Sequence, residues 1–96
     1  MPDLTRTSVV VASEDQISSR LGAEAVILSL KSDVYFGLNE VGAFVWKKLQ
    51  EPQKVNELIS AITDAYQVSA EKCEQDLFRL LEELSRHRLI DIRDDA

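Results

Sequence analysis

The stretch at positions 31–46 reads KSDVYFGLNEVGAFVW, and it combines a polar turn, a short strand and the start of a helix. Val34, Phe36 and Leu38 are apolar at every second position, which is the pattern of a half-buried strand. Asn39 follows as a good N-cap, because its side-chain oxygen can accept hydrogen bonds from the free N–H groups of a first helical turn. Beyond Asn39 the apolar residues take the spacing of a helix. We therefore predict a strand that runs into a helix with almost no loop.

The segments before this stretch predict a small antiparallel sheet. Residues 25–30 are rich in Val, Ile and Leu, and the turn at 31–33 has the length that joins two strands of a hairpin. Residues 16–21 alternate weakly and predict a third strand. The strand at 34–38 then lies at an edge of the sheet. Residues 8–12 contain three consecutive valines and predict an additional strand or an extended arm.

Three amphipathic helices follow at about 39–50, 54–66 and 69–87, and residues 89–93 alternate as in a short strand. Ser69 is a favourable N-cap for the third helix. This order predicts an α+β, winged-helix-like fold, in which a three-stranded antiparallel sheet is followed by three helices.

The length of 96 residues predicts one domain. We divide the chain into an N-terminal arm at 1–15, a folded domain at 16–93 and a tail at 94–96. The N-terminus lacks the basic and apolar segments of a signal peptide, and no apolar run approaches the ~20 residues of a membrane helix. We expect a cytoplasmic protein that does not engage membranes.

The charge balance argues against nucleic-acid binding. The chain has 17 acidic and 11 basic residues, a net charge of −6, whereas phosphate binding needs clustered Lys and Arg. In a DNA-binding winged helix the third helix would enter the major groove with its N-terminal half. That half reads AEKCEQD at positions 70–76 and is net negative, so phosphates would repel it.

We find no pattern of residues that predicts catalysis or a metal site. The single cysteine, Cys73, excludes an internal disulfide and a zinc site with several cysteines. The single histidine, His87, would lie four turns further along a continuous third helix, roughly 20 Å away, which is too far for a nucleophile–base pair. The three glycines are scattered and form no phosphate-binding loop. We therefore expect a protein that is not an enzyme and that has no cofactor.

Peptide binding is the function that these residues leave open. An edge strand has unpaired N–H and C=O groups, to which another chain can add as a further strand. The strand at 34–38 is such an edge, and the third helix would form a wall beside it. The alternative is that residues 8–12 or the end of the chain cover this edge. The periodicity alone does not separate the two.

Two longer segments, GAEAVIL at 22–28 and YFGLNEVGAFVW at 35–46, resemble the PqqD family. The string Tyr-Phe-x-Leu-Asn-x-x-Gly-x-x-x-Trp is fairly specific, because few unrelated folds need this strand, cap and glycine in that order. The resemblance covers about residues 22–93. Shorter matches agree with it, at 55–59, 68–69, 76–78, 80–81, 84 and 89–90.

The resemblance implies a domain that recognises ribosomally made, post-translationally modified peptides. By this resemblance the leader of a precursor peptide adds antiparallel to the strand at 34–38, in the cleft beside the third helix. The domain then delivers the precursor to a separate modifying enzyme and performs no chemistry itself. The residues expected to contact the peptide are Val34, Tyr35, Phe36, Gly37, Leu38, Asp76, Leu77, Arg79, Leu80, Glu83 and Leu84.

Within that set, the leucines of the third helix would accept apolar leader residues, and the charged residues would form a polar rim. The sequence slightly favours the flank of the helix that carries Asp76, Leu80 and Glu83 over the flank with Phe78.

Two branches of the family resemble this chain to different degrees. One serves a radical SAM enzyme in pyrroloquinoline quinone synthesis, and its pattern has Pro-Glu-Gly near the sheet turn. The other acts in lasso-peptide clusters with a separate leader peptidase. Here the turn at 31–33 reads Lys-Ser-Asp, and the strand is more similar to the lasso type. The leader motif and the oligomeric state stay open.

Overall fold

The structure is a computed structural model and describes residues 4–31 and 33–93. The middle of the predicted turn, Ser32, and the predicted tail at 94–96 lie outside the described residues. Elements of the described chain are β1 (Val9–Ala12), β2 (Gln16–Leu21), β3 (Glu24–Ser29), β4 (Tyr35–Leu38), α1 (Glu40–Lys48), β5 (Gln53–Lys54), α2 (Val55–Ala65), α3 (Ala70–Arg86) and β6 (Ile90–Arg93).

The predicted meander is present as one sheet in the order β2-β3-β4, with antiparallel pairing throughout. Alternate residues of β3 point to the core, and Ala25 and Ile27 are fully or nearly fully buried there. The start of the last strand was predicted one residue too early. β4 begins at Tyr35, although the carbonyl of Val34 still accepts a hydrogen bond from the backbone N–H of Ser29 (3.0 Å), in register with the β3–β4 pairing.

The N-terminal arm forms the middle strand of a second sheet, in the order β5-β1-β6. Val9 lies opposite Arg93 on one side and Lys54 on the other. The strand β5 was not predicted, because two residues carry no periodicity. This sheet joins the start of the described chain to its end.

The arm also completes the N-terminus of α2. The backbone N–H of Val55 donates to the carbonyl of Ser8 (3.0 Å), and that of Asn56 donates to the carbonyl of Arg6 (2.9 Å). These bonds satisfy donors that a helix leaves free in its first turn.

The predicted N-caps of α1 and α3 are confirmed. Asn39 Oδ1 accepts a hydrogen bond from the backbone N–H of Gly42 (2.9 Å), and Ser69 Oγ accepts one from that of Lys72 (3.2 Å). A Cβ at Gly42 would lie 3.2 Å from Leu38 Cδ2. The missing side chain therefore lets the last residue of β4 pack closely on the first turn of α1.

The helix α3 ends in a left-handed turn at Arg88, whose φ is 59°. The N–H of Arg88 donates to the carbonyl of Ser85 (3.0 Å), and the N–H of Leu89 donates to that of Leu84 (2.8 Å). This pair of bonds is the Schellman arrangement, and it redirects the chain into β6.

One hydrophobic core lies between the two sheets and the three helices. The α+β, winged-helix-like fold class is confirmed, and the second sheet is added to the predicted one. The large core side chains that are essentially inaccessible are Ile27, Leu49, Leu58, Leu81, Leu84 and Leu89.

Candidate functional site

The strand β4 is an open edge in the described part of the chain. It pairs only with β3, while β1 and β6 pair with each other in the second sheet. Within the described residues, therefore, neither the N-terminal arm nor the end of the chain covers this edge.

The register indicates which backbone groups face this open edge. The hydrogen bond from Ser29 to Val34 makes the opposite pairs Ile27–Phe36 and Ala25–Leu38 the hydrogen-bonded ones. The N–H and C=O groups of the residues between them point the other way. Tyr35 and Gly37 therefore present their backbone donors and acceptors to the edge.

The two edges of this sheet differ in charge. The other edge strand, β2, carries Ser18, Ser19 and Arg20, and Arg20 lies opposite the buried Ala25, on the core-facing side. Inward charges on edge strands oppose pairing with another chain. The sequence of β4 is Tyr-Phe-Gly-Leu, with no charge and no proline. The edge at β4 is therefore the one suited to accept a further strand.

A groove with a volume of about 340 Å³ lies between α1, the end of α2 and α3, and Asn39, the residue after β4, is part of its lining. Its apolar lining comes from three helices and includes Val41, Val45, Ile62, Leu77 and Leu80. Polar residues, Asn39, Lys72, Asp76, Arg79 and Glu83, also line it, together with Val68 and Cys73.

The strand and the third helix run in opposite directions along this groove. The ring of Phe36 contacts that of His87, at the C-terminal end of α3, with centroids 5.8 Å apart. Asn39, directly after β4, lines the groove with Cys73 and Asp76 from the first half of α3. A strand added antiparallel to β4 would therefore run in the direction of α3.

The charges at the groove are partly paired. Lys72 Nζ lies 3.3 Å from Asp76 Oδ1, an ion pair one turn apart on α3. Arg79 and Glu83 have no ion-pair partner within residues 4–31 and 33–93. The groove therefore has one guanidinium and one carboxylate available for a ligand.

Cys73 is suited to packing rather than to chemistry. Burial raises the pKa of its thiol, and the charges of Asp76 and Glu74 raise it further. The thiol is therefore protonated at neutral pH and contributes to the apolar lining. The described part of α3 is continuous, which keeps Cys73 and His87 at opposite ends.

Five of the predicted peptide contacts lie in the groove, and four lie on β4. Asp76, Leu77, Arg79, Leu80 and Glu83 line the groove together. On β4, Phe36 and Leu38 face the core, whereas Tyr35 is 71% exposed on the outer face with Gly37.

The other predicted positions lie apart from the groove. Val34 is partly exposed in the turn, and Leu84 is completely buried in the core and does not line the groove. Phe78 packs against the core outside the groove lining.

The sequence reasoning missed the contributions of α1 and α2 to the groove. Val41 and Val45 of α1 and Ile62 of α2 line the groove, as does Val68 before α3, and none of them was among the expected peptide contacts. One feature of the sequence could have indicated that α1 contributes to the groove: the apolar residues of this helix cover more than one narrow stripe of its surface.

The described residues contain neither a cluster of metal ligands nor a membrane-spanning helix. No group of three or more His, Cys, Asp and Glu side chains is placed to hold a metal ion within residues 4–31 and 33–93. Among the described helices, none has both the length and the apolar character required to cross a bilayer.

A solved structure described as TbiB1 in complex with the TbiA(beta) leader peptide is similar to this chain, with a TM-score of 0.77 and 32% sequence identity. The alignment covers 84% of this chain and 94% of that chain. No functionally curated protein gives a significant match. The sequence profile of the family described as Coenzyme PQQ synthesis protein D (PqqD) matches residues 24–90, which is more than half of the chain. With its open edge strand and adjoining groove, the chain therefore belongs to the PqqD family.

Proposed function

We propose that this protein binds the leader region of a ribosomally synthesised precursor peptide by β-strand addition to β4. The observation that carries the proposal is the uncharged open edge of β4, which leads through Asn39 into a largely apolar groove between the helices. The similarity to a structure that contains a leader peptide supports it.

In this proposal the backbone of Tyr35 and Gly37 orients the leader. Two residues with outward N–H and C=O groups offer up to four hydrogen bonds, each of which contributes about 0.5–1.5 kcal/mol net. Side chains at alternate positions of the added strand point toward the groove. An aliphatic or aromatic leader residue packs against Val41, Leu77 and Leu80, and polar neighbours pair with Arg79 or Glu83.

The bound precursor is then delivered to a separate enzyme, and the domain itself performs no chemistry. The outer face of the first sheet is the surface available for that enzyme. Ile17, Leu28 and Tyr35 form one row across its three strands, and Ile17 and Tyr35 are 58% and 71% exposed. A leader strand on β4 extends this face, so an enzyme that binds here contacts the protein and the leader together.

The partner enzyme that we propose is the leader peptidase of a lasso-peptide pathway. The Lys-Ser-Asp turn at 31–33 favours this branch. The second candidate is presentation of a precursor to a radical SAM enzyme, which the description of the matching family favours. Adding the protein to each enzyme with its own precursor separates the two, since only the true partner gains turnover.

Fluorescence anisotropy tests the binding step. A labelled leader from the neighbouring precursor gene is titrated with the protein, and the core half of the same precursor is the control. We expect a dissociation constant on the order of 1 μM or below for the leader, which corresponds to about −8 kcal/mol, and no binding of the core. Failure of both halves to bind would overturn the proposal.

A further inference from the structure

Gly37 lies inside the open edge strand β4, at a position where the described residues do not require a glycine. Its φ is not in the left-handed region, in which Gly22 is the only glycine. The pairing of β4 with β3 passes through Gly37 without a bulge. A Cβ on Gly37 would meet no atom within 4 Å, so no neighbour in the described part of the chain occupies that space. Because glycine weakens a strand, the fold of the chain alone gives no reason for it here.

The missing side chain leaves a notch on the outer face of the first sheet, which is the face turned away from the core. Val26 of β3 lies directly opposite Gly37 and is half-buried. The two form a non-hydrogen-bonded pair, the kind in which opposed side chains lie closest. Tyr35 lies two residues earlier on the same face and is 71% exposed. The notch therefore has backbone as its floor, Val26 on one side and an exposed aromatic ring at one end.

A strand added to β4 brings one of its residues directly opposite Gly37. Because the N–H and C=O of Gly37 face the open edge, that residue forms a hydrogen-bonded pair with it. Side chains of opposite residues project to the same face of a sheet. The side chain of this leader residue therefore lies on the outer face and does not enter the groove along α3. A large side chain at this position can cross the bare Cα of Gly37 and reach Val26 on the next strand.

We infer that the leader residue paired with Gly37 is aromatic and that its ring lies across Gly37, between Val26 and Tyr35. This position of the ring presupposes a leader strand on β4, and it therefore rests on the proposed function. A flat ring covers the backbone of a glycine closely, and an aromatic residue opposite an edge glycine compensates for the missing side chain. The ring of Tyr35 provides a second aromatic surface beside it. This leader residue is distinct from the apolar residue that enters the groove.

Glycine in an edge strand also has a role that needs no particular leader residue. It weakens strand pairing, and this limits the association of the open edge with other copies of the chain. If that were its whole role, replacing Gly37 would change the affinity for all leader variants by the same factor. A ring over Gly37 instead predicts a change that is confined to one leader position.

NMR spectroscopy tests the position of the ring on the wild-type protein. The Gly37 Hα that takes the place of a Cβ points to the outer face, so a ring stacked on it moves its signal upfield. The probe is the leader from the neighbouring precursor gene, with each of its aromatic residues replaced by leucine in turn. We expect an upfield shift with the native leader that exactly one leucine variant abolishes. A leader that binds without this shift would overturn the inference and leave the proposed function intact, whereas a leader that does not bind would overturn both.

A double-mutant cycle tests the same contact by affinity. Replacing the aromatic leader residue by alanine should weaken binding to the wild type about tenfold, since it removes apolar surface that is buried on binding. Gly37→Val fills the notch and should reduce this loss to about twofold. The matched variant Ser19→Val lies in the same cross-strand row, on β2 away from the edge, and should keep the tenfold loss. Equal losses for the wild type and a folded Gly37→Val variant would contradict the ring position.

Discussion

Cys73 reports on the groove at the scale of single residues. It lines the groove, is 5% exposed, and has a thiol pKa that burial raises. Because the thiolate is the reactive form, we expect the native protein to react with a disulfide reagent near pH 8 about tenfold more slowly than the unfolded chain, or slower still. Bound leader should slow the reaction further. Equal rates for native and urea-unfolded protein would contradict this placement.

Arg88 has a left-handed backbone, with a φ of 59°, at the position after a helix where glycine is favoured. Its peptide N–H, which donates to Ser85, is kept in a glycine variant. We expect Arg88→Gly to raise the free energy of unfolding by about 1 kcal/mol, because the left-handed region costs L-residues about that much. Urea denaturation measures the change. The matched variant Arg86→Gly, inside α3, should be destabilising instead.

At the scale of elements, α3 divides its side chains between the groove and the core. Leu80 and Phe78 both pack against the core, but only Leu80 also lines the groove. We expect Leu80→Ala to weaken leader binding about tenfold, since it removes apolar surface that would be buried on binding. Phe78→Ala should mainly lower the free energy of unfolding. Anisotropy and urea denaturation on both variants check this division, and the reverse pattern would contradict it.

The sequence predicted the elements well where one local signal was strong. Alternation at 34–38 and the cap Asn39 located β4 and the start of α1, with an error of one residue at Val34. The strand β5 was missed because only its pairing with Val9 and Val10 of β1 defines a strand of two residues. Asp76, Leu80 and Glu83, which form the favoured flank of α3, line the groove. Leu84, which was also expected to contact the peptide, faces the core. Side-chain period alone does not separate the inner face of a helix from its adjoining edge.

At the scale of the whole molecule, the second sheet could not be predicted. It pairs Val9 with Arg93, and such long-range partners leave no local pattern. The same arm joins α3 through Arg6, whose guanidinium forms a forked ion pair with the Glu74 carboxylate. The groove residues of α1 and α2 were also missed, because tertiary packing brings these helices to α3 and such long-range contacts leave no local pattern in the sequence.

This ion pair predicts a pH dependence of stability. The hydrogen bond from Arg6, and then its charge, holds the pKa of the Glu74 carboxyl below its ordinary value. Because this pKa is lower in the folded state than in the unfolded state, the ionised carboxylate stabilises the folded protein at pH values above the unfolded-state pKa of about 4.3. This contribution is lost as the pH falls through the folded-state pKa. We expect Glu74→Gln to be slightly less stable than the wild type at pH 7 and equally stable in strong acid. Urea denaturation at both pH values checks this. A difference that persists in acid would contradict the role of the charge.

Strand addition at β4 is the central claim, and Gly37 allows the most direct test of it. A Cβ at Gly37 would meet no atom within 4 Å, so the side chain of Gly37→Ala has room in the folded protein. Gly37→Pro also fixes φ at about −65°, so its fold is checked before its binding is measured. Only proline removes the outward N–H. Leader affinity is measured by anisotropy on samples whose circular dichroism matches that of the wild type. We expect the affinity to fall about tenfold or more for Gly37→Pro and to stay within about twofold of the wild type for Gly37→Ala. A folded Gly37→Pro variant that binds the leader as tightly as Gly37→Ala would contradict strand addition at this edge.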